Sequence, residues 1–288
     1  MNLSVNEAFD VFDQRIRLTD DALKFALDEA SAISRLICTN PAIKSCIITG
    51  SIVRSTAIKE FSDVDIIAIL DDIYKSDALT PAKAMSLVAH VAGRRIHQIT
   101  DSGNIISGLS ENGVKIDVLP AIIAHADQGG NEVYQIPAAT RSAWQEYSPD
   151  AQTQGIAEID MRVGPRFKQL IRAIKWWSGM NGKPVHSHDI EVLASRAFDA
   201  GIPELPQAVV VFFNFAIKDL RDSSRGMEPV ACNSSLHSSV KVALSKLHSA
   251  GDLAKHARKV EMADPRNAPQ AIHLWRGLFG EQFPDVLT

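Results

Sequence analysis

The sequence predicts an α+β fold in which a mixed sheet with helices, residues 1–160, is followed by a helical lobe, residues 161–288. Two observations support this prediction. Short runs of β-branched residues, such as residues 43–49 and 63–70, indicate strands in the first part. Beyond Pro165 the apolar residues recur at helical spacing, with Pro, Gly and Ser between the segments. The α+β part and the helical part therefore occupy separate halves of the chain.

The composition describes a globular chain. With 288 residues and 45% hydrophobic content, it can bury a substantial core. Its net charge of −4 is unlike that of proteins that coat a phosphate backbone, so we expect no stable nucleic-acid partner. Cys38, Cys46 and Cys232 show no CxxC pair and no metal-ligand spacing, which indicates reduced thiols. No signal pattern and no apolar run of transmembrane length is visible, so we expect a cytoplasmic protein with no membrane partner.

The first part begins with helices and continues as strands. Apolar spacing predicts helices up to Ile37, and Thr19 is suited to cap the second of them. A strand then leads into a turn at Gly50-Ser51. The predicted elements after Ile37 are strands over residues 43–49 and 63–70, a helix over 78–91, and strands over 96–99, 105–109 and 114–119.

Turn residues define the end of this series. Asn112-Gly113 favours a tight type I′ hairpin between the last two strands, and Pro120 is expected to end the second of them. Helices follow in the second part. Their predicted ranges are residues 165–177, 188–200, 206–220, 239–249 and 268–278.

Three aspartates in two of the strands suggest a metal site. Asp63 and Asp65 are two positions apart, so their side chains share one face of the predicted strand. Two carboxylates held together in this way repel each other unless a cation lies between them. Asp117 lies in the strand over residues 114–119. A third carboxylate beside the first two makes an all-oxygen site suited to Mg²⁺, which binds through a few carboxylates and substrate phosphates.

Gly50-Ser51 precedes the aspartate pair by a short loop. Glycine lets the backbone approach a phosphate, and the serine hydroxyl and following amides can donate hydrogen bonds to it. Taken singly, a D-x-D on a strand is most often a solvated face, and a Gly-Ser turn carries no function. The order of strand, Gly-Ser turn, D-x-D strand, hairpin and single Asp is much more specific.

A row of cations lies on the first helix of the second part. Lys168, Arg172 and Lys175 stand at i, i+4 and i+7, which places them on one face. Such a row is either a solvated surface or a set of countercharges to phosphate. The neighbouring Trp176 and Trp177 are expected in the core. A metal site at His186 and His188 has no obvious third ligand.

Residues 49–70 resemble the polymerase-β-like nucleotidyltransferases, and among these the bacterial cGAS/DncV-like enzymes of anti-phage cyclic oligonucleotide signalling. Residues 115–121 are similar to the strand that bears the third carboxylate of that family. The resemblance continues in the helical lobe over residues 170–177, 186–193 and 271–280. It implies a nucleotidyltransferase lobe followed by a helical lobe, with the active site in the cleft between them.

The resemblance also implies roles for individual residues. Asp63, Asp65 and Asp117 would be catalytic and would bind two Mg²⁺ ions, or Mn²⁺ in their place. Lys175 and Ser187 match positions that contact the donor triphosphate in related enzymes. His188 stands where many relatives have a tyrosine that stacks on the base. Gly50 and Ser51 would lie against the triphosphate, and Arg54 would either contact phosphate or orient the loop.

The expected reaction is the joining of NTP substrates into a cyclic di- or trinucleotide, which acts on a downstream effector in anti-phage defence. Two alternatives use the same residues. One is nucleotidyl transfer to an RNA or protein acceptor, and the other is a catalytically silent nucleotide sensor. The intact set of Asp63, Asp65 and Asp117 makes the silent sensor less attractive.

Overall fold

The computed structural model describes residues 3–71, 79–202, 204–224 and 237–285. Cys232 lies outside these residues. The described helices are α1 (Val5–Ile16), α2 (Asp20–Ile37), α3 (Pro81–Ala92), α4 (Pro149–Val163), α5 (Arg166–Met180), α6 (Ser187–Ala197), α7 (Leu205–Ser224), α8 (His237–Ala263) and α9 (Ala268–Phe279). The strands are β1 (Ile43–Thr49), β2 (Val64–Leu70), β3 (His97–Ser102), β4 (Ile105–Leu109), β5 (Lys115–Ala126), β6 (Glu132–Pro137) and β7 (Trp144–Tyr147).

The chain divides into two compact units. The helical unit contains Met1–Arg17, Ile58–Phe61 and Ile156–Thr288, and the sheet unit contains Leu18–Ala57 and Ser62–Gly155. The architecture confirms the α+β prediction. The division differs from the predicted 160/161 boundary mainly at the N-terminus, since α1 belongs with the helical unit.

Aromatic packing explains the position of α1. The ring of Phe9 meets the ring of Trp275 on α9 edge-on, with centroids 5.1 Å apart, and meets Phe283 at 5.0 Å. Phe12 packs against Phe279 at 4.9 Å. These rings are fully buried, and burial of such large apolar surfaces is the main favourable contribution to packing. The apolar face of α1 is therefore part of the helical core.

A mixed sheet forms the centre of the sheet unit. Its main strand order is β1-β2-β5-β4-β3, and the last part of β5 also pairs with β6, which pairs with β7. The β2–β5 ladder is parallel, and the other ladders are antiparallel. Thr19 caps α2 as predicted, since its Oγ1 accepts a hydrogen bond of 3.2 Å from the Ala22 N–H.

The two faces of β2 pack differently. Val64, Ile66 and Ala68 lie in the core that includes α2 and α3 residues. Ile67 and Ile69 lie in a smaller cluster with Ala121 of β5 and residues of β6. Because alternate residues of a strand point to opposite faces, Asp65 belongs to the second face.

The prediction that Pro120 ends its strand is wrong, because β5 continues to Ala126. The ladder with β4 reaches Val118, and the ladder with β6 begins at Ile122. Pro120 therefore falls between the two antiparallel ladders, where the missing N–H costs no antiparallel hydrogen bond.

The predicted hairpin between β4 and β5 is confirmed, but its turn is longer than the type I′ expectation. Leu109 pairs with Lys115, and the intervening loop closes with the Ser110 N–H bonded to the Val114 carbonyl at 2.8 Å. Gly113 adopts φ +79°, the left-handed conformation that favours glycine.

Other element boundaries differ more. The helix predicted over 239–249 is the 27-residue α8, and α4, β6 and β7 were not predicted. In the described part of the chain, we find no helix that combines the length and apolar character needed to cross a membrane.

Candidate active site

Asp65 and Asp117 are register partners on the adjacent parallel strands β2 and β5. Paired residues of neighbouring strands point to the same face, and neighbouring strands lie about 4.8 Å apart. Both carboxylates therefore stand side by side on the face of the sheet that carries Ile67 and Ile69. The sequence predicted that Asp63 begins the strand over residues 63–70. The observed strand β2 begins at Val64, so Asp63 lies immediately before it.

Position 50 requires a glycine because its backbone lies against the Asp65 carboxylate. Thr49, the preceding residue, is the antiparallel partner of Asp65. A Cβ atom built on Gly50 would lie 2.6 Å from Cγ of Asp65 and would overlap its carboxylate. Gly50 also adopts φ +86°, in the left-handed region. The glycine that the sequence assigned to phosphate approach thus also makes room for a carboxylate.

The chain turns sharply after Gly50. The Gly50 carbonyl accepts the Arg54 N–H at 3.2 Å, and the Ser51 carbonyl accepts the Thr56 N–H at 2.9 Å. Within the described part of the chain, the N–H of Ser51 enters no backbone hydrogen bond. Ser51 is partly exposed, so its hydroxyl and amide can donate to a ligand oxygen.

Arg54 lies inside this turn, with only 8% of its surface exposed. Of the two roles that the sequence left open, this burial favours orientation of the loop over direct contact with phosphate.

The donor set suits a hard divalent cation, because carboxylate oxygens are the ligands that Mg²⁺ prefers in proteins. Within the residues that the structure describes, no three His, Cys, Asp or Glu side chains form a ready-made metal cluster. The observation that fits a metal is therefore the adjacent pair Asp65 and Asp117. Asp63 is the neighbouring carboxylate that would complete the set.

In the helical unit, the predicted row of cations is a row of ion pairs between helices. Lys168 binds Asp160 of α4 at 2.9 Å. Arg172 binds Asp13 of α1, with Nε 2.7 Å from Oδ1. The third member, Lys175, pairs with a carboxylate of α6. The row thus ties α5 to three other helices rather than forming a merely solvated surface.

Lys175 is buried, and its Nζ lies 2.6 Å from Oε1 of Glu191. Both side chains are only 1% exposed. Glu191 was missed by the sequence analysis. The available signal was a single carboxylate among apolar residues of a predicted helix, Ile190, Val192 and Leu193. The neighbouring Trp176 and Trp177 are buried, which confirms their predicted place in the core.

The first turn of α6 carries the exposed residues Ser187 and His188. His186 occupies the N-cap position but makes no side-chain capping hydrogen bond. The first N–H groups of a helix attract anions, and here no capping side chain occupies them. Burial raises the pKa of Asp189 above its usual value, while the nearby His188 and His186 act in the opposite direction.

Comparison with known proteins assigns the family. A family model described as the Second Messenger Oligonucleotide or Dinucleotide Synthetase domain, SMODS, matches residues 3–160, which is more than half of the chain. The chain belongs to this family. It is therefore a nucleotidyltransferase that joins NTPs into cyclic oligonucleotide second messengers, of the type that acts in anti-phage defence.

One curated relative supports the assignment. The cyclic AMP-AMP-AMP synthase of an Acinetobacter species is 25% identical to this SMODS protein over 267 residues, which cover 82% of this chain and 72% of the relative. Enzymes of this type generally depend on a divalent metal ion.

Solved structures show the same fold over almost the whole chain. CdnC of Escherichia coli MS115-1, solved with ATP, has a TM-score of 0.75 at 16% identity and covers 98% of this chain and 99% of its own. CdnG of Bradyrhizobium diazoefficiens, in complex with GTP, has a TM-score of 0.71 at 13% identity and covers 96% of each chain. DncV of Vibrio cholerae has a TM-score of 0.67 at 12% identity and covers 100% of this chain and 98% of its own. The SMODS protein thus has the polymerase-β-like fold with a helical lobe that the sequence predicted.

Proposed function

We propose that this SMODS protein makes a cyclic di- or trinucleotide and that Asp63, Asp65 and Asp117 are its catalytic residues. The observation that supports the proposal is the in-register pairing of Asp65 with Asp117, with Gly50 against the Asp65 carboxylate. The curated relative, named a cyclic AMP-AMP-AMP synthase, supports ATP as a substrate and a trinucleotide as a product.

The three carboxylates would hold two Mg²⁺ ions, with Mn²⁺ as a substitute. When bound, these ions would neutralise triphosphate charge and make the acceptor hydroxyl more acidic. In each transfer the hydroxyl oxygen forms a bond to the α-phosphorus of an NTP, and the bond from that phosphorus to pyrophosphate breaks. Asp117 would lie beside the acceptor hydroxyl and favour the loss of its proton.

Further contacts would hold the nucleotide. Ser51 would donate to the triphosphate from the turn after β1, which Gly50 and Arg54 shape. Ser187, on the exposed first turn of α6, would contact the triphosphate as well, and His188 would stack on a base. Lys175 is 1% exposed and paired with Glu191, so it would support α6 rather than contact the triphosphate itself. The product would act on a cyclic-nucleotide effector.

The test is a synthesis assay with labelled NTPs. The protein is incubated with the four NTPs and Mg²⁺ or Mn²⁺, the mixture is treated with phosphatase, and resistant products are identified by mass spectrometry. We expect a phosphatase-resistant cyclic product from the parent protein and none from the Asp63→Asn/Asp65→Asn variant. The matched control is Asp28→Asn, an exposed carboxylate on α2 of the same unit.

The outcome also separates the alternative acceptors. In a parallel incubation with tRNA and labelled ATP, label on the tRNA or on a protein with no small cyclic product would replace our proposal by transfer to a macromolecule. Full synthesis by the Asp63→Asn/Asp65→Asn variant would refute the assignment of the catalytic carboxylates.

A further inference from the structure

Glu191 holds a charge in the interior of the helical unit. Its carboxylate and the ammonium of Lys175 are 2.6 Å apart, and both side chains are 1% exposed. Burying two charges carries a large desolvation cost, so a buried ion pair is weak evidence for added stability. Loss of either partner from such a pair is strongly destabilising. The pair therefore fixes where α6 lies along α5.

A second buried tie acts three residues further along α5. The Ser178 hydroxyl donates to the Val185 carbonyl at 2.6 Å, and Ser178 is 2% exposed. The Ser178 carbonyl accepts the Lys183 N–H at 2.7 Å. Since residues three apart on a helix lie on the same face, Lys175 and Ser178 present both ties from one face of α5.

These two ties lie on either side of the first turn of α6. Val185 is held two residues before Ser187, and Glu191 is held four residues after it. Ser187 and His188, between the two ties, are exposed. They stand on a helix that is held at Glu191 and at Val185 and that also packs Ile190, Leu193 and Ala194 in the helical core.

We propose that Glu191 is a positioning residue for nucleotide binding, which holds Lys175 and the first turn of α6 in the arrangement that binds the donor nucleotide. The inference rests on the proposed function, because it assumes that Ser187 and His188 contact that nucleotide. Misplacement of a binding group by about 1 Å can lower a rate about a hundredfold, so loss of the anchor has a functional effect beyond stability.

The experiment compares Glu191→Gln with Ile190→Val in the full-length protein. Gln keeps the shape of Glu191 but removes its charge. Ile190 is fully buried next to it on α6, and its shortening loosens the same helix without touching the ion pair. KM for ATP and for GTP and kcat are measured well below the melting temperature of each variant.

We expect Glu191→Gln to raise KM for the accepted NTP at least about tenfold, with a smaller change in kcat. Ile190→Val should show a loss of melting temperature with KM within about twofold of the parent, because lost packing alone leaves the anchor in place. A folded Glu191→Gln variant with the parent KM would overturn the proposal.

A double variant covers the case in which Glu191→Gln fails to fold. Lys175→Met/Glu191→Leu replaces the pair by apolar side chains of similar size, which is often neutral for stability. We expect the double variant to fold with KM still raised, whereas a parent-like KM would show that the pair is only structural. Ser187→Ala is tested alongside. If it leaves KM unchanged, the proposed contact at α6 fails independently of Glu191.

Discussion

Arg172 and Asp13 join α5 to α1 through two parallel hydrogen bonds, with Nε 2.7 Å from Oδ1 and Nη2 2.8 Å from Oδ2. The pair is largely buried, since the Arg172 side chain is 11% exposed and the Asp13 side chain 8%. Arginine forms this bidentate pair because its planar guanidinium offers two parallel N–H donors to a carboxylate. It connects residues that are 159 positions apart in the chain.

Removal of the Asp13 charge should therefore destabilise the helical unit. We expect Asp13→Asn to lower the free energy of unfolding by about 3 kcal/mol, because it leaves the Arg172 guanidinium buried without its counterion. Urea denaturation followed by circular dichroism measures the change. Asp10→Asn, on the same helix, serves as the control and should change stability by less than about 0.5 kcal/mol. Equal effects of the two substitutions would contradict the role assigned to the pair.

Gly50→Ala should abolish synthesis. The added Cβ would overlap the Asp65 carboxylate, and alanine at φ +86° is strained. Gly113→Ala is a matched control, because Gly113 has φ +79° but open space around a Cβ. Both variants should lose about 1–2 kcal/mol of stability from backbone strain, and only Gly50→Ala should lose activity. Loss of activity in both would mean that strain alone, rather than the Asp65 contact, matters.

Two glycines in helices should respond in opposite directions to alanine. A Cβ on Gly179 of α5 would lie 2.7 Å from the Phe61 ring, so Gly179→Ala should destabilise the helical unit despite the higher helix propensity of alanine. A Cβ on Gly155 of α4 would meet nothing within 4 Å. We expect Gly155→Ala to raise the free energy of unfolding by about 0.5–1 kcal/mol. Thermal melts of both variants decide the point, and stabilisation by both would exclude the Phe61 clash.

Cys46 should contribute to a loss of stability at alkaline pH. Burial raises its pKa, and the hydrogen bond with Cys38, at an Sγ–Sγ distance of 3.1 Å, raises it further. A group that ionises less readily when folded binds more protons in the native state. Its contribution is therefore complete below the unfolded thiol pKa of about 8.5 and is lost as pH rises above it.

The measurement is a series of urea titrations between about pH 7 and 10, compared with Cys46→Ala. The variant has a lower absolute stability because it leaves a cavity, so the slope with pH is the relevant quantity. We expect a shallower alkaline decrease in Cys46→Ala than in the parent. Identical slopes would show that the thiol does not titrate differently in the folded and unfolded states.

Local patterns in the sequence were sufficient to predict β1 and β2, the strands beside the candidate site. The β-branched runs predicted β1 and β2 closely, and for β2 the signal is dense because the strand is buried on both faces. The spacing of Asp63 and Asp65 predicted a shared face. The pairing of Asp65 with Asp117 is visible only in the folded sheet. The parallel register itself could not be read from either strand, since it depends on how two distant segments meet.

Features that depend on an opposing surface were not predictable. The spacing of Lys175 identified its face of α5 but not the carboxylate that meets it, which is 16 residues further along. The extension of β5 past Pro120 was missed because a proline is tolerated only where no ladder bond is needed, and that depends on β4 and β6. Strands β6 and β7 pair mainly with that extension and with each other, so they were missed with it.

The packing of Phe9 against Trp275 and Phe283 sets an order of events during synthesis on the ribosome. All residues of the sheet unit precede Ile156, so they emerge before most of the helical unit exists. The aromatic cluster around Phe9 needs rings that lie more than 260 positions downstream. Since domains fold as units while the chain emerges, the sheet unit can complete its core first. The apolar face of α1 can complete its packing only after Trp275 and Phe283 have been translated.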